Sequence, residues 1–341
     1  MNEKLKTLFG IFVIPAASLF TLVILVFVFS ETPARTLYFF FAGPFKNSFN
    51  FGNMLNISSL FIFGALGITI AVKAGSLNLG GEGQVYLGAF CAAAAAFVLH
   101  GFGIAGVLLS FAAGIFSAAA MASFSGICKA RWNTNELITS FLLSCAVIPI
   151  VNYLVTGPFL DPQTSLLSTK KVAENMRLPL ILKPSDLNYG SVIALFAVIL
   201  SHFFLYRTKT GYEMRVTGSN ALFARYGGIN TKMNTILAMT ISGGFYGLAG
   251  SAAVLGTYHS VIKEFSSGLG WSALTVALLS GFSVPAIIPA AIFFAWIEAG
   301  ARIAMQNTGL THEVASIVQT VIIFLSASMA IRNIFPRRAA G

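Results

Sequence analysis

The sequence predicts an all-α, polytopic membrane protein of about ten transmembrane helices, with eight to ten the range that its apolar runs allow. Three observations carry this. Of 341 residues, 56% are hydrophobic and only 9% are charged, where a soluble domain carries about 25% charge. The mean hydropathy is +0.82. The apolar residues also fall in runs near the roughly 20 residues that a helix needs to cross a bilayer. So few charges cannot cover a soluble surface of this size, and lipid is the expected solvent and partner.

The predicted spans cover about 8–30, 53–72, 84–100, 103–127, 136–156, 188–206, 234–256, 270–283, 285–304 and 314–332. Lys4 and Lys6 precede the first run. That run is longer than the ~7–15-residue core of a secretory signal, and no small-residue cleavage site follows, so it reads as a retained span. The eighth run is short, and Pro285 parts it from the ninth. The whole of 1–341 reads as one transmembrane domain.

Orientation follows from the basic residues. The formal net charge is +10. Such a balance in a soluble chain points to nucleic acid, but membrane proteins collect Lys and Arg on the cytoplasmic side. Nucleic acid is therefore not an expected partner. With both termini cytoplasmic, Lys73, Lys129, Arg131, Arg207, Lys209, Arg215, Arg225, Lys232, Arg337 and Arg338 all fall inside. Residues 157–187 hold Pro158, Pro162, Pro179 and Pro184 and read as an extracytoplasmic loop. Residues 207–233 read as a cytoplasmic loop, too long for a plain connection of about 2–8 residues between helices.

Two Gly-rich segments interrupt the apolar pattern, Gly75–Gly83 and Phe265–Trp271. In this topology the first lies near the cytoplasm and the second near the outside, the arrangement of an inverted-topology repeat. The first carries Asn78, Glu82 and Gln84. A polar, Gly-rich stretch at membrane depth needs protein or a water-filled cavity around it, and an acid there points to function. An interfacial turn with Glu82 in water fits the same residues equally well. The spacing is not that of a phosphate loop, because no Gly-Lys-Ser/Thr follows.

Three further groups stand out. Asn135 is placed to cap the fifth span, and Glu136 suits the positive end of that helix; capping alone fits both at least as well as a direct role. In the loop 207–233, Asn220 is a natural N-cap, and Gly227 and Gly228 are natural stops for a short helix. Glu298 and Arg302 stand at i,i+4 on the ninth span and read as a structural ion pair. Cys91, Cys128 and Cys145 form neither a disulfide framework nor a metal-ligand spacing. No HExxH, G-x-S-x-G or Walker A pattern is present, so no enzyme activity, metal or cofactor is expected.

Joined together, the motifs carry a resemblance. SLNLGGEGQVYLGAF resembles the NIG-x-EGQ signature of permeases in bacterial ABC importers of the branched-chain amino acid and simple-sugar group. NELITSFLLSCAVIPIVNYLVTGPFLDP is similar to a block of the nucleoside-permease branch. GYEMRVTGSNALFARYGGI resembles the cytoplasmic segment of the same permeases, and GGFYGLAGSAAVLG followed by FSSGLGWSALTVALLSG resembles their later glycine pattern.

The resemblance implies a permease subunit in a bacterial inner membrane. Its implied partners are a second permease, a cytoplasmic ABC ATPase and an extracytoplasmic solute-binding protein. Gly211, Arg215, Gly218, Asn220 and Gly227 would then couple to the ATPase. Asn78, Glu82, Gln84, Asn135, Glu136 and Ser144 would line the substrate pathway. Ser144 departs from the nucleoside branch, which usually carries Asn there. The nearest branches are those for nucleosides and riboflavin, and simple sugars are the alternative cargo. An ion-coupled secondary transporter using Glu82, Glu136 or Glu298 is the competing mechanism.

Overall fold

The computed structural model describes residues 19–28, 30–308, 317 and 320. The two termini, part of the first predicted span and nearly all of the tenth lie outside the described residues. The chain begins with two short helices, α1 (Leu19–Val28) and α2 (Pro33–Ala42). Asn47 then caps α3 (Ser48–Lys73), its side-chain oxygen accepting from the Asn50 N–H at 2.7 Å. Next come α4 (Gly81–Leu99), α5 (Gly103–Trp132) and α6 (Glu136–Thr156). A small antiparallel ladder, β1 (Leu180–Leu182) with β2 (Leu187–Asn188), precedes α7 (Gly190–Arg207). The chain continues through α8 (Lys209–Ser219), α9 (Ala221–Tyr226) and α10 (Thr231–Ala253). A π-helical turn, Val254–Tyr258, extends α10, and α11 (Leu269–Leu279) and α12 (Ile287–Thr308) complete the described bundle.

The all-α reading holds, with the ladder as its one described exception. The count of about ten spans is not shown, because half of the first predicted span and nearly all of the tenth lie outside the described residues. Among the described residues, six helical stretches are long and apolar enough to cross a membrane: Ser48–Lys73, Gly81–Trp132, Glu136–Thr156, Gly190–Arg207, Thr231–Tyr258 and Val284–Thr308. The Gly81–Trp132 stretch supplies two of the predicted spans, because the chain reverses at Gly103 (φ 54°) and α5 packs back on α4. The predicted eighth span is α11, an 11-residue helix about 16 Å long, which is half of a bilayer core.

Close approach of small residues builds the centre. A Cβ on Gly247 of α10 would lie 2.3 Å from the Gly114 carbonyl oxygen of α5. The backbones therefore touch directly, the packing that drives helix association in lipid. α3 is the buried axis: 83% of its apolar window is covered by protein, against 22% for α6 and 33% for α7. The outer faces of α6 and α7 expose Phe141, Leu142, Phe196 and Ile199.

The two ends of the bundle differ. At one end, basic residues from several elements converge. Lys129 Nζ donates to the Gly75 carbonyl and to Glu136, while α8 sits against Lys73. At the other end, the segment 157–189 is stitched to the chain after α10. Thr169 N–H donates to the Val261 carbonyl, Val172 N–H to that of His259 and Leu178 N–H to that of Leu255. Asn188 fixes this end further, donating to Asn56 Oδ1 and to the Gly256 carbonyl.

Candidate functional site

The two Gly-rich segments meet. A Cβ on Gly270 would lie 2.6 Å from the Glu82 nitrogen and 2.8 Å from the Gly81 carbonyl carbon. Only glycine permits this contact. The first turns of α4 and α11 are thus back to back, and both of these helix ends carry positive partial charge. Glu82 lies between them. It belongs to the first turn of α4, and its Oε1 accepts from the Trp271 N–H of α11 at 3.2 Å. Ser266, Gly268 and Gly270 are further polar neighbours of the carboxylate. Gly268, at φ 89°, turns the chain into α11 so that these groups face the carboxylate.

Asn78 and Gln84 form a closed pair. Asn78 Nδ2 donates to Gln84 Oε1 at 2.8 Å, and Gln84 Nε2 donates back to Asn78 Oδ1 at 3.0 Å. Asn78 also donates to Ser242 Oγ and accepts from the Gly80 N–H. Both side chains are fully buried. Their polar groups are engaged with the protein, so the pair holds the turn in shape. α6 braces the same turn through two serines. Ser140 Oγ accepts from the Leu79 N–H, and Ser144 Oγ accepts from the Gly83 N–H at 2.7 Å. A Cβ on Gly83 would lie 2.7 Å from the Ser144 Cα, so α4 and α6 touch where this chain carries the small Ser144.

Asn135 and Glu136 stand apart from this cluster, at the basic end. Asn135 Oδ1 accepts from the Leu137 N–H and caps α6, while Glu136 pairs with Lys129. The predicted loop 207–233 is mostly helical. Gly211 lets α8 fold tightly against the end of α7, since a Cβ there would lie 2.1 Å from the Phe204 carbonyl oxygen. Arg215 ties the two helices together, donating from Nε to the Leu205 carbonyl at 3.0 Å and lying 4.9 Å from the Tyr206 ring centre. Gly218 abuts the α3–α4 turn, where its Cβ would lie 2.2 Å from the Lys73 carbonyl oxygen. Asn220 caps α9 by accepting from the Phe223 N–H, and Gly227 ends it. Leu222, Phe223 and Tyr226 of α9 remain exposed.

A cavity of about 620 Å³ lies between α3, the segment from Tyr258 to Ser272, and α12. Phe61, Phe265, Trp271 and Phe294 supply aromatic walls, and Ser266, Ser272, Glu298 and Arg302 supply polar groups. Its volume is within the ~300–1,000 Å³ usual for small-molecule sites. Of the predicted site residues, only Glu298 and Arg302 line it. Glu82 lies behind its wall, reached through Trp271. The sequence pattern marked polar interruptions and so missed the aromatic lining; the Gly-rich run Phe265–Trp271 was the available signal.

Comparison with known proteins decides the family. Residues 50–327 match the family described as branched-chain amino acid transport system / permease component. The chain belongs to that permease family. The permease is 32% identical over 333 residues to the "Probable riboflavin import permease protein RfuC" of Treponema pallidum, covering 95% of this chain and 84% of that protein. It is 28% identical to the guanosine ABC transporter permease protein NupP of Bacillus subtilis, over 85% of this chain and 84% of the relative. It is also 28% identical to the glucose ABC transporter permease protein TsgB13 of Haloferax volcanii, over 78% and 73%. No solved structure matches the permease. Its role is that of a transport subunit in a multi-pass membrane complex rather than a catalyst.

Proposed function

We propose that this chain is one permease subunit of an ATP-driven ABC importer whose cargo is a nucleoside-class solute, a purine nucleoside or riboflavin. The observation that carries the proposal is the seat of α8. Gly218 contacts the carbonyl of Lys73 and the nitrogen of Gly75, at the start of the turn that leads to Asn78 and Glu82. A force on α8 from outside the membrane is thereby applied to the turn that opens α4. The exposed Leu222, Phe223 and Tyr226 give α8–α9 an apolar surface on which an ATPase subunit can dock. This end is cytoplasmic by the positive-inside rule, since Lys73, Lys129, Arg131, Arg207 and Lys209 lie at the ends of helices there. A second permease and an extracytoplasmic solute-binding protein complete the importer, in a bacterial inner membrane.

The aromatic cavity favours a flat heterocycle over a simple sugar, because aromatic walls suit a planar ring and the serines suit its polyol. RfuC and NupP are named for riboflavin and guanosine. Deleting the chain from its host is expected to abolish uptake of labelled guanosine or riboflavin while glucose uptake continues. Loss of glucose uptake alone would replace this cargo reading with the sugar reading.

A further inference from the structure

The Glu298–Arg302 pair is the only predicted ion pair that faces the cavity, and its geometry does not brace the bundle. Both residues lie on α12, one turn apart, with Arg302 Nη2 2.7 Å from Glu298 Oε1. Among the described residues, the hydrogen bond of each side chain is to the other. An ion pair within a single helix ties no second element to it. The Arg302 side chain is 50% exposed and that of Glu298 22%. Charges in a membrane-spanning helix are costly, and apolar residues would pack α12 equally well. The pair instead presents a carboxylate acceptor beside a guanidinium donor, on the wall of a cavity faced by Phe61 and Phe294. Those two rings stand edge to face at 5.5 Å.

We propose that Glu298 and Arg302 read the edge of the cargo ring, with the carboxylate accepting a ring N–H and the guanidinium donating to the adjacent ring carbonyl. The ligand class is a planar heteroaromatic that carries –CO–NH– in its ring. Guanosine and riboflavin both carry that group; adenosine and glucose do not. This inference rests on the nucleoside-class reading above and names the chemistry by which that cargo is selected. Arg offers a rigid planar donor fork, which suits an in-plane ring edge better than a flexible ammonium. A site built to bond an N–H strongly rejects an analogue that lacks it, because the acceptor is left unpaired.

The test uses the complete importer in cells and compares initial uptake rates of matched probes: guanosine against 1-methylguanosine, and riboflavin against its 3-methyl derivative. Three forms are compared: wild type, the charge swap Glu298→Arg with Arg302→Glu, and the apolar pair Glu298→Met with Arg302→Met. The swap keeps an ion pair on α12 but reverses donor and acceptor. The apolar pair leaves a helix that still inserts if the swap does not. Wild type is expected to take up the N–H probe about tenfold or more faster than its N-methyl twin. In the variants that ratio is expected to fall towards one. The solute-binding protein is the same in all forms, so a change in ratio belongs to the permease. An unchanged ratio, or a wild-type ratio near one, overturns the inference and leaves the cargo class standing. Failure of wild type to import either heterocycle removes the cargo class itself, and this inference with it.

Discussion

Asn78 and Gln84 show what the Gly-rich turn requires of single residues. Each amide satisfies the other, and both are sealed from solvent. Removing Asn78 leaves the buried Gln84 amide without a side-chain partner, and removing Gln84 leaves Asn78 only its bonds to Ser242 and Gly80. Asn78→Ala or Gln84→Ala is therefore expected to lower stability by about 1–3 kcal/mol each. The double variant should cost less than the sum of the two, because the second substitution removes a group already orphaned. Thermal unfolding of the detergent-purified proteins gives the cycle; additive losses would mean that the amides act independently. Glu82 belongs to the same scale. Its carboxylate lies where two helix starts converge, and its contact with the Trp271 N–H joins segments 189 residues apart in sequence.

Among the elements, α8 matters most, because it contacts both the end of α7 and the turn that opens α4. Gly218→Val would drive a branched side chain into the Lys73 carbonyl. Uptake is expected to fall about tenfold or more, since the backbones at this contact cannot separate without moving α8 from its seat. Membrane insertion, measured by immunoblot of the membrane fraction, should stay near normal. Wild-type uptake by this variant would show that the seat does not carry coupling. Much of this element was legible in the sequence. Asn220 and Gly227 announced α9, and the density of charge kept 207–233 out of the bilayer. The contact of Gly218 with Lys73 was not legible, because it joins residues 145 positions apart and depends on the way α8 folds back. The eighth predicted span was less legible for a related reason. α11 is as apolar as a spanning helix, and hydropathy does not reveal that it has only 11 residues and begins against Gly81 and Glu82. The cavity was hidden too, since Phe61, Trp271 and Phe294 share a wall only once α3 and α12 come together around the loop 258–272.

At the scale of the whole molecule, the proposed docking seat and the proposed cargo cavity occupy different parts of one bundle. The turn from Lys73 to Glu82 runs between them, from Gly218 of α8 to Trp271 of the cavity wall. A device driven at α8 needs ATP hydrolysis on separate chains. A device driven by protonation of Glu82, Glu136 or Glu298 would need a proton gradient instead. The most direct test is uptake of labelled guanosine and riboflavin in cells treated with a protonophore, with cytoplasmic ATP clamped at its normal level. Uptake of the cargo should persist under the protonophore and cease when ATP is depleted with the proton gradient maintained. Uptake that stops under the protonophore at constant ATP would contradict the account and make this chain an ion-coupled transporter.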